Sequence, residues 1–145
     1  MKMKCCGCIY RFGDTVNSKG YTIDKDTFTK GVDTSKKYPV VDETATCIDP
    51  ENPDSIVGYA QITIYDDCAA AHMTIESKAM QDAIISDDDI NQDIKVSCAI
   101  TDMTVDHETN TVDSGRLVSV VLSKEGMYGI ETVTTRQIDY AWHKF

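Results

Sequence analysis

The stretch SIVGYAQITIY-DD-CAAAHMTIE, residues 55–76, decides how the chain is to be read. Ile56, Val57, Ala60, Ile62 and Ile64 recur close to period two, the spacing that gathers apolar side chains on one face of a pleated strand. Asp66-Asp67 ends that pattern, and a second apolar run follows from Cys68 to Glu76. Two such runs on either side of an acidic break predict an antiparallel hairpin.

Outward from the hairpin the period changes. Ser77 is placed to cap a helix over Lys78 to Ile85, in which Met80, Ala83 and Ile84 make one apolar stripe. Beyond Asp87-Asp88-Asp89, Ile94, Val96, Cys98 and Ile100 alternate with Lys95, Ser97, Ala99 and Thr101, a half-buried strand running toward Val105. Residues 107–115 read as a polar connection, and Arg116 to Ser123 is apolar enough for a central strand. On the other side, Cys5 to Phe12 and Lys37 to Val41 read as strands. Asp24 caps a short helix over Lys25 to Lys30, with Phe28 as its anchor and Gly31 as its stop. At the C-terminus Ile138, Ala141, Trp142 and Phe145 fall at helical spacing, an amphipathic segment over 133–145 attached to a domain over 1–132.

Composition agrees with a β-rich domain. Val, Ile and Thr number 12, 14 and 16 in 145 residues while Leu occurs twice, so the apolar content is carried by side chains suited to pleated surfaces. With 24 acidic against 14 basic residues, the formal charge of −10 repels phosphate backbones and anionic lipid, which argues against nucleic-acid or membrane binding and for protein partners. No stretch approaches the ~18 apolar residues of a membrane span, and MKMKCCGC lacks a hydrophobic leader, so a cytosolic product is expected.

Motifs for metal or cofactor chemistry fail on spacing. The six cysteines, at 5, 6, 8, 47, 68 and 98, form no CxxC pair, and buried reduced thiols are expected. Residues 87–98 imitate a calcium loop at the start, but Gln92 stands where glycine is needed and Cys98 where a bidentate carboxylate is needed. No second histidine follows His107-Glu108 at the zinc-protease spacing. No metal and no cofactor are expected.

An order of segments carries a resemblance. Asp24 to Phe28, then Tyr38-Pro39-Val40-Val41, then Pro53-Asp54-Ser55-Ile56-Val57-Gly58-Tyr59-Ala60, the helix from Ser77, Val96-Ser97-Cys98, and Gly115-Arg116-Leu117-Val118-Ser119-Val120-Val121-Leu122 before Gly126 follow one another in turn. In that order the chain resembles the tailed-phage prohead (capsid maturation) serine protease family. The resemblance implies an α+β fold, a mostly antiparallel sheet closing into a small barrel with two or three short helices. It places the family's nucleophilic serine at Ser97, its histidine at about Thr44 and its glutamate at Leu117, so only the serine is matched. A serine without a base is a poor nucleophile. His72, on the strand before the serine strand, is the one replacement base with any argument.

The reading that follows is a non-catalytic phage structural protein, an auxiliary or decoration-like capsid protein on a degenerate prohead-protease fold. Ser97 is then vestigial, and Ile138, Trp142 and Phe145 form an interface with the major capsid protein or other virion proteins. A homo-oligomer remains an option. The implied setting is the host cytoplasm during assembly and then the virion. Two alternatives stand beside it: an active maturation protease using Ser97, and a small acidic host-directed phage inhibitor.

Overall fold

In the computed structural model the β-branched runs assemble into one sheet; the structure describes residues 2–13, 15–16, 20–42, 56–90, 94–124 and 138–143. Its elements in chain order are β1 (Lys2–Arg11), β2 (Thr15–Val16), β3 (Tyr21–Thr22), α1 (Lys25–Lys30), β4 (Tyr38–Asp42) and β5 (Ile56–Ile64). There follow β6 (Cys68–Ile75), α2 (Lys78–Ile90), β7 (Ile94–Asp106), β8 (Thr111–Lys124) and β9 (Ile138–His143).

The hairpin read from residues 55–76 is β5–β6, in register from Gly58 opposite Ile75 to Ile64 opposite Ala69. Its period-two pattern buries Val57, Ala60 and Ile62 from one strand and Ala69, Ala71, Met73 and Ile75 from the other. Across the sheet the strands run β9, β1, β6, β5, β4, β8, β7, and the small β2–β3 pair joins β8 where Thr22 meets Thr111.

The barrel expected from the resemblance is not formed: the sheet is open and mixed. Two pairings cause this. β4 runs parallel to β8, with Val40, Val41 and Asp42 opposite Val120, Val121 and Leu122. At the other end, the edge of β1 that closure would need is taken by β9, which pairs antiparallel along Lys2 to Gly7. The sheet curls far enough to bring the Cys98 thiol of β7 to 3.9 Å from the Ile9 carbonyl oxygen of β1, but no ladder joins those strands among the described residues. The helical spacing at the C-terminus is also corrected: Ile138 and Trp142 lie in strand β9, opposite Gly7 and Met3. Trp142 and Phe145 are three residues apart and Ile138 and Trp142 four, but Ile138 and Trp142 are also an even number apart. The backbone follows the unpaired edge of β1, whose hydrogen-bonding groups a helix could not satisfy.

Both predicted helices form. The Asp24 carboxylate accepts from the Thr27 amide at 2.8 Å, and α1 is closed by the Gly31 amide donating to the Phe28 carbonyl and the Val32 amide to the Thr29 carbonyl. Phe28 stacks on Tyr10 at 5.6 Å between ring centroids, and the Tyr10 hydroxyl accepts from the Ile23 amide, so α1 is locked to the core through β1. The Ser77 hydroxyl accepts from the Met80 amide at the start of α2. α2 continues past Ile85 to Ile90, burying Met80, Ile84 and the Gln81 amide, whose Nε2 donates to the Ile75 carbonyl at 2.8 Å. The would-be calcium loop is therefore split between a helix and a strand.

Candidate functional site

Ser97 alternates along β7 with the buried Val96 and Cys98, so its side chain lies on the sheet face away from the core. Directly opposite on β8 stands Val121, and opposite Val121 on β4 stands Val41. The flanking β8 positions on that face are Ser119, opposite Ala99, and Ser123, opposite Lys95. Ser119, Val121 and Ser123 are all buried. Among the described side chains the serine hydroxyl thus sits in a row of methyl and hydroxyl groups, none of which can take its proton at neutral pH. Among the described residues of these three strands, Asp42 is the carboxylate one position along from the row, but alternation along β4 places it on the core face with Tyr38 and Val40.

The other residues singled out from the sequence are not brought to Ser97. His72 is exposed on β6, opposite Cys6 and Gln61; β5, β4 and β8 separate its strand from β7 along the ladders, and β1 alone separates them where the curled sheet brings β7 up to β1. No hydrogen bond joins it to Ser97 among the described residues. Leu117 is buried opposite Ile100, past a register shift between Ala99 and Ile100, and belongs to the core. His107 is exposed in the turn between β7 and β8, edge-on to the Tyr21 ring. Thr44 and Phe145 lie outside the described residues, as do Cys47 and the side chains of β9.

Three of the described thiols are disfavoured as nucleophiles on electrostatic grounds. Burial pushes the Cys5 and Cys98 thiols up to about 12, and burial with the neighbouring Cys8 pushes Cys68 up to about 11. All three are protonated at neutral pH. Among the described residues no group of three or more His, Cys, Asp or Glu side chains is arranged to hold a metal ion. No helix there is long and apolar enough to cross a membrane.

A second feature was not read from the sequence. On the side of β8 away from β7, strand pairing is interrupted between Thr111, held by β3, and Val120, held by β4. The end of α1 fills this gap: the Leu117 amide donates to the Gly31 carbonyl at 2.9 Å. Here the two backbones pass so closely that a Cβ on Gly31 would overlap the Gly115 carbonyl oxygen. A groove of about 500 Å³ opens beside this contact, with Lys30, Lys36, Arg116 and Asp33 around it. Tyr38 is its buried floor, its hydroxyl accepting from the Asp33 amide at 2.8 Å, and Val118, 45% exposed, is its apolar wall.

With that geometry in hand, the chain can be set beside known proteins. No protein-family profile matches it, and no curated protein matches it. Among solved structures it is similar to a KSHV protease in complex with a hexapeptide phosphonate inhibitor, at a TM-score of 0.55 and 12% identity over 99% of this chain. The likeness is one of fold. It covers 66% of the KSHV protease chain, just under two thirds of that protein. The chain therefore has a fold similar to that of this viral protease, and a tailed-phage prohead protease as such is not confirmed.

The missed groove had a weak signal. Lys30 and Lys36 flank a helix stop, but nothing in the spacing says that Arg116, 80 residues on from Lys36, returns beside them; the pairing gap in β8 does that.

Proposed function

We propose that the protein acts by binding and not by bond cleavage: an auxiliary, decoration-like component of a phage capsid carried on a viral serine-protease-like fold. The observation that supports this most is the row Ser97, Val121, Val41, in which two valines stand beside the one serine that the resemblance places at the nucleophile. An isolated serine hydroxyl lacks the base and the orienting group that acyl transfer requires. The expected partner is the major capsid protein or another virion protein. The test is twofold. Purified particles should contain the chain in fixed ratio to the major capsid subunit, and its absence from particles would end the reading. The purified protein should also leave a fluorophosphonate probe unreacted at Ser97.

A second reading, an active maturation protease using Ser97, is favoured by one observation: a similar solved structure is a protease described with a phosphonate inhibitor. It requires cleavage of capsid or scaffold protein that disappears in Ser97→Ala, and such cleavage would replace the first reading.

A further inference from the structure

We propose that the groove between the end of α1 and residues 115–118 of β8 is a docking site for an acidic, extended peptide segment of a partner protein, which binds by its carboxylates and one apolar side chain. This rests on the binding reading above and says where the partner is held.

Charge points there first. The chain carries 24 acidic and 14 basic residues, yet three of the basic ones meet around this groove with one carboxylate, Asp33. That carboxylate is already engaged. It accepts from the Ser35 amide at 2.9 Å and the Ser35 hydroxyl at 2.6 Å, which holds it below the usual carboxylate range. Neither Lys30 nor Lys36 is within salt-bridge distance of a carboxylate among the described residues, although Lys36 also favours the charged form of Asp33 and Lys30 that of Asp24; Lys36 rests over the Tyr38 ring, its Nζ 5.0 Å from the centroid. Arg116 has one partner, Asp102 at 3.3 Å, in a bridge exposed at 70% and 73%. Such bridges contribute little and exchange readily for a better partner. A carboxylate entering the groove would gain a guanidinium fork and two ammonium groups, the charge-assisted bonds that hold best.

Shape and field select the ligand class. About 500 Å³ holds a few side chains and no folded domain, and Val118 offers an exposed apolar surface beside the cations. A polyphosphate backbone fits the cations but must lie along a surface whose net charge is −10, and it is repelled over its length. A short acidic peptide is exposed only to the charges within about 8 Å at physiological salt, where Lys30, Lys36 and Arg116 face Asp33 and Asp102. The wall is rigid, because the Gly31–Gly115 approach and the Leu117 amide bond fix α1 against β8.

Fluorescence anisotropy on the full chain tests this with three labelled probes: a peptide of alternating aspartate and leucine, the same peptide with asparagine for aspartate, and an oligothymidylate. The aspartate peptide should bind saturably, and the asparagine peptide at least about tenfold more weakly, the loss of one charge-assisted bond. Arg116→Glu and the double change Lys30→Glu, Lys36→Glu should each weaken the aspartate peptide by about tenfold or more. Lys78→Glu, a charge-matched change on α2, should leave it unaltered. All of the substituted side chains are exposed, and equal melting temperatures confirm folding. Equal binding of both peptides, binding of the oligothymidylate alone, or no binding of any probe would overturn the proposal. If the chain is nevertheless found on particles, only the groove assignment has failed; if it is absent from particles, the binding reading has failed with it.

Discussion

A few residues apart on one strand, β8 offers two surroundings of opposite character. At Val121 it is flanked on both edges by strands, and the outer-face row across β7, β8 and β4 reads Ser97, Val121, Val41. At Arg116 to Val118 one edge has no strand, and the end of α1 stands in with a single backbone bond. Continuous pairing brings side chains within about 5 Å of their cross-strand neighbours, and aliphatic packing then leaves no hydrated space for a charge. Interrupted pairing leaves a groove, and charged groups surround it. On this scaffold, polar chemistry lies where the sheet breaks and not where its serine sits.

The largest expected effect breaks the groove end. Phe28 is 3% exposed, stacks on Tyr10 and is the only core anchor that α1 presents among its six residues. Phe28→Ala should cost about 3–5 kcal/mol. It should free the helix end and remove peptide binding in the groove, while the β7–β8 ladder keeps its hydrogen-exchange protection. Thermal melting and exchange by mass spectrometry check both halves; a loss of protection spread evenly over β7 and β8 would show that the two ends are not separable.

The second tests how dry the core is beneath Ser97, on the opposite face of β7. Cys98, next to Ser97, is buried and its thiol is pushed up to about 12, against 9.0 in the unfolded chain. A group whose folded value is raised contributes its full stability below the unfolded value and loses it as pH climbs toward the folded one. The protein should therefore weaken between pH 9 and about 12 by a few kcal/mol, each tenfold in proton affinity being about 1.4 kcal/mol. Cys98→Ala should flatten that limb, and Cys5 and Cys68, raised to about 12 and about 11, contribute to what remains. An alkaline limb identical in Cys98→Ala would mean that water reaches the core face of β7.

These expectations also separate what was legible in the sequence from what was not. Patterns decided locally were readable: the 55–76 hairpin from its alternation, α1 from Asp24, Phe28 and Gly31, and the capped start of α2 from Ser77. Patterns decided by a distant partner were not. Nothing in Tyr38 to Asp42 says that it will lie parallel to β8, and nothing in residues 138–143 outweighs their helical spacing until the free edge of β1 is seen. The barrel failed for the same reason, because closure depends on which strand takes that edge. The site divides likewise. Ser97 could be named from segment order, but its neighbour Val121 follows only from the register, and the residue that the resemblance set in a catalytic place, Leu117, faces the core.

A smaller effect comes from the cap of α1. Asp24→Ala should cost about 1 kcal/mol at neutral pH, since the Thr27 amide loses its acceptor. The hydrogen bonds from Thr27 lower the Asp24 carboxyl below its ordinary 3.8, so the cap's charged contribution is present above the unfolded value and lost as pH falls through the folded one. Asp24→Ser, which keeps an acceptor without a charge, should match wild type in acid. A stability difference between Asp24→Ala and wild type that stayed constant from pH 7 to pH 2 would refute this account of the helix start.

The smallest effect sharpens the comparison most. Asp102 has a φ of 56°, in the left-handed region, and asparagine is among the few side chains that accept it, so Asp102→Asn keeps the backbone while removing the charge. The bridge to Arg116 is exposed on both sides, and its loss should change stability by no more than about 0.5 kcal/mol. Binding should move the other way. With Asp102 neutral, Arg116 no longer divides its donors between an internal carboxylate and one in the groove, and the aspartate peptide should bind about two- to threefold more tightly, the size of one exposed pair. If Asp102→Asn instead weakens the peptide, the bridge orients the guanidinium and does not compete for it, and the groove end is preorganised by the same β7–β8 ladder that seals the serine end.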